Sequence, residues 1–421
     1  MGWWKPILED MEMNCRFCNT ILEDVFADLG ETPLANSYLT QETVEKNEKK
    51  YPLRTLICKK CFLVQIDEFE HPQDIFNDYV YFSSYSTTWL EHVKCFVDET
   101  VKKFNLTEKD LVIEIASNDG YLLKNFINKK IPVLGIEPAK NIAKIAKENG
   151  IPTIAEFFSS KTAQTILDSG RKADLLIAFN VLPHVPNLND FILGMKQILS
   201  DKGIIVIQFS AYLPELIKLG EFDMIYHEHF SYFSLSTLKR IFQFHDLEIF
   251  DIKEIPVHGG SLRIFVKLNG NNTLLITENV KTLLKKEKNF GLEELSTYTK
   301  FQDKVNKSKE EIRNFFINAK KDNKKIVCYG AAAKGNTVLN FCEIGSDFID
   351  YVVDISPHKQ GKFLPGTHIP IFPPKKLKET KPEYIVILAW NLKEEIMKQI
   401  EFVKEWEGKF VFLIPEVKII G

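Results

Sequence analysis

The stretch Leu111–Leu123, LVIEIASNDGYLL, narrows the choice of fold more than any other part of this chain. An apolar run, Leu111–Ile115, stops at small and polar residues, Ala116–Gly120, and a helical pattern starts at Tyr121. Strand, tight loop and helix in that order place free backbone N–H groups and a helix N-terminus at a strand's carboxyl edge, where a nucleotide or nucleoside can sit. Glu114 at the strand end would repel a phosphate, but it would attract the sulfonium and amino group of S-adenosylmethionine (SAM). About twenty residues on, VLGIE ends a second strand in Glu137, the spacing at which an acid takes ribose hydroxyls. The residues expected around that cofactor are Glu114, Ala116, Asn118, Gly120, Tyr121, Leu122, Glu137 and, at the end of a later strand, Asn180.

The loop departs from the usual methyltransferase pattern acid-x-Gly-x-Gly-x-Gly: Ala116 and Asn118 replace two glycines and Gly120 stays. An ordinary doubly wound sheet without cofactor is the bland alternative. The surrounding order favours the cofactor reading. Apolar runs at Leu111–Ile115, Val133–Glu137, Ala173–Phe179 and Gly203–Phe209 alternate with amphipathic segments, which predicts a parallel sheet with helices on both faces. The runs Leu247–Ile255 and Leu262–Leu268, joined by PVHGG, predict an antiparallel final pair. That is the common class I methyltransferase architecture, a Rossmann-like α/β sheet.

Two C-x-x-C knuckles, Cys15/Cys18 and Cys58/Cys61, supply four thiolates for a tetrahedral structural zinc. Such a closed site leaves no position for water, so it reads as a fold staple; four independent thiols are the alternative. Seven cysteines, an odd number, and this metal pattern fit a reducing cytoplasm better than a disulfide framework. The start, MGWWKPILED, has no apolar signal-peptide core, and no apolar run approaches a membrane span. A net charge of -3 argues against nucleic acid or an anionic membrane as partner. With 45% hydrophobic residues, 421 positions suffice for two or three packed domains. The divisions expected are a zinc-binding module at 1–75, a cofactor domain at 76–270 and a further α/β domain at 271–421.

Chemistry is expected in the loops beyond the central strands. FNVLPHV presents Asn180 and His184, and MIYHEHFSYFS presents Tyr226, His227, Glu228 and His229 in succession. Consecutive titratable groups beside a cofactor pocket suit proton abstraction. Structural histidines, or a metal held by His-x-His and Glu, remain open readings. In DYVYFSSYSTTW, Tyr81 and Ser83 either line a polar pocket or belong to a capping turn before a helix at Thr88–Phe104. Lysine- and glutamate-rich residues 270–324 read as a helical connector. Then KIVCYGAAAKGNTVLN opens a second Rossmann-like unit, whose G-x-x-x-K-G is not the dinucleotide fingerprint. Lys334 beside a helix N-terminus suits a diphosphate, though an empty fold used for packing is the alternative.

Together, the paired knuckles, SNDGYLL, NVLPHV, YHEHFSYFS, HGGSLR and GAAAKGNTVLN resemble the SAM-dependent deoxysugar C-methyltransferases that act on nucleotide-linked 4-ketosugars. The resemblance runs over nearly the whole chain. It departs at Ala332, where relatives often carry proline or serine, and in a longer N-terminal leader. It implies an N-terminal zinc module, a central SAM domain, and a C-terminal domain that helps hold the nucleotide-sugar, with Ser261, Arg263, Lys334 and Asn336 as substrate contacts. It also implies acid–base roles for Tyr226, Glu228 and His229, with His229 as the base and His184 and Tyr81 as further members. A ketone acidifies its neighbouring C–H, an imidazole with a pKa near the working pH removes the proton, and the enolate carbon takes the methyl. Tyr226 is the expected donor to the ketone oxygen. If residues 226–229 are extended, Tyr226 and Glu228 face away from His227 and His229. Methylation of an oxygen, or nicotinamide-dependent oxidation of a nucleotide-sugar, are the rival activities. Three fused domains can enclose such a site alone, so a monomer is expected.

Overall fold

The structure, a computed structural model, describes residues 13–69, 87–255 and 260–421. Its strands fall into three sheets. At the N-terminal end β1 (Asp24–Thr32), β2 (Tyr51–Ile57) and β3 (Val64–Ile66) run antiparallel. The sequence pattern does not announce these strands; PLANSYL and the charged run Glu42–Lys50, which read as loop, lie between β1 and β2. The central sheet takes β4 (Val112–Ile115), β5 (Val133–Ile136), β6 (Thr153–Ile154), β7 (Ala173–Phe179) and β8 (Leu199–Ser210), all parallel. A two-residue strand, β9 (Ser231–Tyr232), leaves this unit to pair with β3, so the YHEH segment is tied to the N-terminal sheet.

The central sheet ends with β10 (Leu247–Ile255) and β11 (Ser261–Leu268). In space β11 lies between β8 and β10 and is antiparallel to both, giving the order β10-β11-β8-β7-β4-β5-β6. This is the class I methyltransferase arrangement. All four residues of β4 are buried, as a parallel strand covered on both faces requires. The helix Thr87–Phe104 covers one face with Trp89, Val93, Phe96 and Val97, spaced as one helical stripe. Strand order reverses between β4 and β7, which opens a crevice at their carboxyl ends.

The C-terminal sheet repeats the plan with β12 (Ile326–Tyr329), β13 (Val352–Val353), β14 (Ile371–Phe372), β15 (Tyr384–Ile387) and β16 (Lys409–Phe412), all parallel, and an antiparallel edge, β17 (Lys418–Ile420). Its order, β14-β13-β12-β15-β16-β17, reverses beside the loop Gly330–Ala332. The connector is helical, at Glu278–Phe290, Leu295–Thr299 and Phe301–Lys321. Along the last helix Phe301, Val305, Ile312, Phe316 and Ala319 form one buried stripe, and Phe301 stacks on Phe26 of β1 at 4.5 Å. The connector therefore clamps the N-terminal and C-terminal units to each other.

Candidate active site

The two crevices open onto one cavity of about 610 Å³. On the central side, β4 runs into a loop in which Ala116, Asn118 and Gly120 all have positive φ (55°, 49° and 81°). At Gly120 a Cβ would come within 2.4 Å of the Ile151 side chain, so this glycine is required where the two replaced ones are not. Just beyond β5, Glu137 accepts the N–H groups of Asn118 and Ala139, each at 2.9 Å, and burial pushes its pKa up to about 6. Ala116, Asn118, Tyr121, Glu137 and Asn180 line the cavity, whereas Glu114, Gly120 and Leu122 lie behind its wall.

Glu114 is buried, and its Oε2 has no hydrogen-bond partner; burial, with Glu137 and Asp119 close by, raises its pKa well above the usual carboxylate range. Asn180 Oδ1 is also buried without a partner. The orphaned Asn180 acceptor on the cavity lining, with acidic Glu137 on the same lining and Glu114 behind the wall, fits a ligand that brings positive charge and N–H donors, as SAM does. Tyr121, Asn118 and Glu137 would hold its adenosyl and amino-acid ends.

On the far side of the cavity, residues 226–229 make a turn closed by the His229 N–H to the Tyr226 carbonyl at 2.9 Å. They are not extended, so Tyr226 and His229 share a side. Met224 O holds His229 Nδ1 at 2.9 Å, which leaves the lone pair on Nε2 to accept the Tyr226 hydroxyl at 2.7 Å. Burial, with His184 and Lys334 nearby, pushes the His229 pKa well below its usual value rather than near the working pH. His184 donates from Nδ1 to the Glu228 carbonyl at 2.7 Å and packs edge-on to His229, with burial lowering its pKa to about 4. The Glu228 Oε1 takes the Asn36 amide at 2.7 Å; burial raises its pKa to about 7 against the pull of Asn36 and Lys359. His227 turns away to Pro52 O at 3.2 Å. Tyr81, Ser83 and His258 lie outside the described residues.

The C-terminal domain brings Ala332, Ala333, Lys334, Lys359 and Asn391 to the cavity. Lys334 Nζ donates to Asn391 at 2.8 Å and lies over the Trp390 ring. Three expected substrate contacts are placed elsewhere. Arg263 pairs across the strands with Gln208, donating to its side-chain oxygen at 2.7 and 3.0 Å, inside the sheet. Ser261 is buried in the same strand, and Asn336 donates to Ala35 O at 2.5 Å, joining C-terminal to N-terminal domain. Asn36 and Asn391 carry no signal in the sequence, because their partners lie 192 and 57 positions away, and nothing in its neighbours sets Lys359 apart from other lysines.

The four cysteine sulfurs all lie within 4.8 Å of one another, close to the spacing of about 3.8 Å that tetrahedral zinc–sulfur bonds impose. Each knuckle closes the same way: Asn19 N–H returns to Cys15 O and Phe62 N–H to Cys58 O, both at 2.9 Å, with Asn19 and Phe62 at positive φ. Gln65 donates to Cys15 Sγ at 3.3 Å. The residues fit a closed structural zinc. Among the described residues no other group of three or more His, Cys, Asp or Glu converges on a metal position, so YHEH is not gathered as one.

Residues 15–76 match the family model described as "Putative zinc binding domain", residues 89–252 one described as "Methyltransferase domain", and residues 256–415 one described as "C-methyltransferase C-terminal domain". The C-methyltransferase NovU of Streptomyces niveus is 33% identical over 410 residues, covering 97% of this chain and 96% of its own. Among solved structures, a SAM-dependent methyltransferase of Clostridium acetobutylicum is 16% identical with a TM-score of 0.35, covering 43% of this chain and 92% of its own. The magnesium protoporphyrin IX methyltransferase of Synechocystis is 14% identical with a TM-score of 0.34, covering 46% and 90%. Near-complete coverage at one-third identity, with all three segments in the same order, settles kinship: the chain belongs to the C-methyltransferase family, as a SAM-dependent enzyme with a zinc-binding N-terminal module.

Proposed function

We propose that the methyl acceptor is a carbon next to the ketone of a nucleotide-linked 4-keto(deoxy)sugar, and that an enolate precedes transfer. One observation carries this reading: a neutral imidazole, His229, has its basic Nε2 against a phenol on the wall of the SAM-side cavity. Alkylating a carbon first requires a proton to leave it, and Nε2 is the acceptor. Its depressed pKa keeps the imidazole unprotonated at working pH, so the base is always available. As the ketone enters, the Tyr226 hydroxyl passes from Nε2 to the ketone oxygen, which frees the lone pair and stabilises the developing charge. The imidazolium then formed lies beside an enolate, and their attraction in a buried site offsets the weakness of the base. SAM supplies an electrophilic methyl on a sulfonium. The aromatic walls, Phe157, Phe158 and Phe179, keep water from competing.

Lys334 and Lys359 put two ammonium groups on the wall supplied by the C-terminal domain, which supports a diphosphate there. The volume, about 610 Å³, is of the size that small-molecule sites take. We read the chain as three units, 1–75, 76–270 and 271–421, working as a monomer. No cysteine is in a disulfide, which supports a cytoplasmic setting, and among the described residues no helix is long and apolar enough to cross a membrane. The test is a panel of nucleotide-linked 4-ketosugars with SAM, products read by mass spectrometry and NMR. A new carbon-bound methyl beside the ketone is expected; no product from any ketosugar would overturn the assignment.

A further inference from the structure

The zinc-binding module does more than brace the fold. Its loop between β1 and β2 delivers Asn36 to the cavity wall, where Nδ2 donates to Glu228 Oε1 at 2.7 Å. Asn36 is itself braced from the third domain. The Tyr38 hydroxyl donates to Ala331 O at 2.6 Å and lies 3.2 Å from Asn36 Oδ1, while Lys359 Nζ donates to the same Ala331 carbonyl at 2.7 Å. A line of polar contacts thus runs from the C-terminal loop through the zinc module to a carboxyl group of the central domain. An N–H donor on Oε1 favours the carbonyl form of that oxygen, the better acceptor, and so places the proton of the acid on Oε2.

We propose that Asn36 is a positioning residue of the methyl-transfer site, whose amide orients the Glu228 carboxyl and biases its proton toward Oε2. This rests on the reading of Glu228 as a member of the proton-transfer group. Glu228 then presents one defined oxygen to the substrate, either as carboxylate or as O–H donor, rather than two interchangeable ones. The groups that set its charge are all in view. Lys359 and the Asn36 amide favour the carboxylate, burial opposes it, and Tyr38 is a neutral phenol beside it. His184 donates to the Glu228 main-chain carbonyl and stays neutral, as does His229 next in sequence. Asn36 is thereby the group through which the N-terminal module tunes the chemistry.

The experiment is an infrared titration of the carboxylic-acid carbonyl band in the substrate-free, zinc-loaded enzyme, with E228Q as the blank. Removing the donor in N36A weakens the carboxylate form, and the Glu228 midpoint should rise by about one pH unit. In N36D, nearly isosteric, a second carboxyl shares the site and the midpoint should rise further. The pH profile of kcat should move in the same direction, with zinc content and SAM affinity as in the wild type. If N36A loses its zinc, N36D carries the test. A Glu228 midpoint that stays in place in N36D, or a kcat lowered equally at every pH, would overturn the proposal. Because the titration needs no sugar, its failure is distinct from a panel that yields no methylated ketosugar.

Discussion

Replacing His229 tests the proposed chemistry at its centre, provided the fold survives. Alanine would remove two hydrogen bonds, to Met224 O at 2.9 Å and from Tyr226 at 2.7 Å, worth roughly 1 kcal/mol each. The cavity left by a fully buried side chain adds about 2 kcal/mol, and the total is a large share of a domain's stability. His229→Asn is the better perturbation, since its amide overlays the imidazole Nδ1 side and keeps the donor to Met224. What it lacks is the Nε2 lone pair. Loss of a general base costs about 10²–10⁴ in rate, so a drop of about 10³ is expected, or about 4 kcal/mol in the barrier. SAM affinity should be unchanged, because Asn118 and Glu137 lie on the other wall. The decisive assay omits SAM and follows exchange of the acceptor's α-hydrogen in deuterium oxide by mass spectrometry. Wild type should exchange and the variant should not. Exchange within tenfold of wild type would move the base elsewhere, with Glu228 next in line.

Other outcomes follow from the same geometry. A denaturing zinc assay should find one equivalent per chain, and Cys61→Ser should lose the metal and lower the Tm of the whole protein, because Thr237 Oγ1 lies 3.3 Å from the Cys61 carbonyl and within bonding reach of the central domain; less than half an equivalent of zinc in wild type would count against the site. Gly120→Ala combines a positive φ with a Cβ 2.4 Å from Ile151, so it should cost about 3 kcal/mol and weaken SAM binding at least tenfold by calorimetry. Stability should also depend on pH in an unusual direction. Glu221 and Glu228 have pKa values raised to about 8 and about 7, so their contribution is full below the unfolded value and is lost as pH rises through the folded one. His184 and His227, lowered to about 4, contribute above their unfolded value and lose it as pH falls. Between pH 8 and 7 the acids dominate, and denaturation midpoints should rise on acidification by roughly 1 kcal/mol per pH unit, flattening near pH 6. A monotonic fall over pH 8 to 6 would show that these carboxyls are not held neutral.

Much of this fold can be read from short-range pattern. The runs at Leu111–Ile115 and Ala173–Phe179 are buried parallel strands, apolar but for Glu114 and Asp174, so periodicity is not needed to find them. The cysteines announce themselves by spacing. By contrast β1 is hidden because its register shifts twice, between Val25 and Ala27 and between Asp28 and Glu31, which breaks the alternation a half-buried strand should show. The site is legible where neighbours in sequence are neighbours in space, as with Tyr226 and His229 across one turn. It is illegible where partners are distant: Asn36 and Glu228 are 192 positions apart. Arg263 misleads for a related reason. The resemblance implies it as a substrate contact, but β11 is inserted between β8 and β10, which puts that side chain opposite Gln208.

The two α/β units share one construction with opposite charge. In each, an acid just past the second strand accepts an N–H from the loop after the first: Glu137 from Asn118 at 2.9 Å, and Asp354 from Ala331 at 2.8 Å. Around Glu137 the further groups, Glu114 and Asp119, are acidic, with no cation to offset them. Around Asp354 two lysines gather, Lys359 at 3.7 Å from its carboxylate and Lys334 at the start of the next helix, the latter facing Asp223 and Glu221, whose carboxyls burial holds toward the neutral form. A cavity walled by these two loops is therefore polarised from end to end. Under the proposed function, the sulfonium would take one end and the diphosphate the other, and the reverse arrangement would bring like charges together on both sides at once. Orientation follows from that before any specific contact forms. The acceptor carbon must then lie between the two ends, where the Tyr226–Glu228–His229 turn meets the cavity, so a single turn of the central domain can serve both ligands.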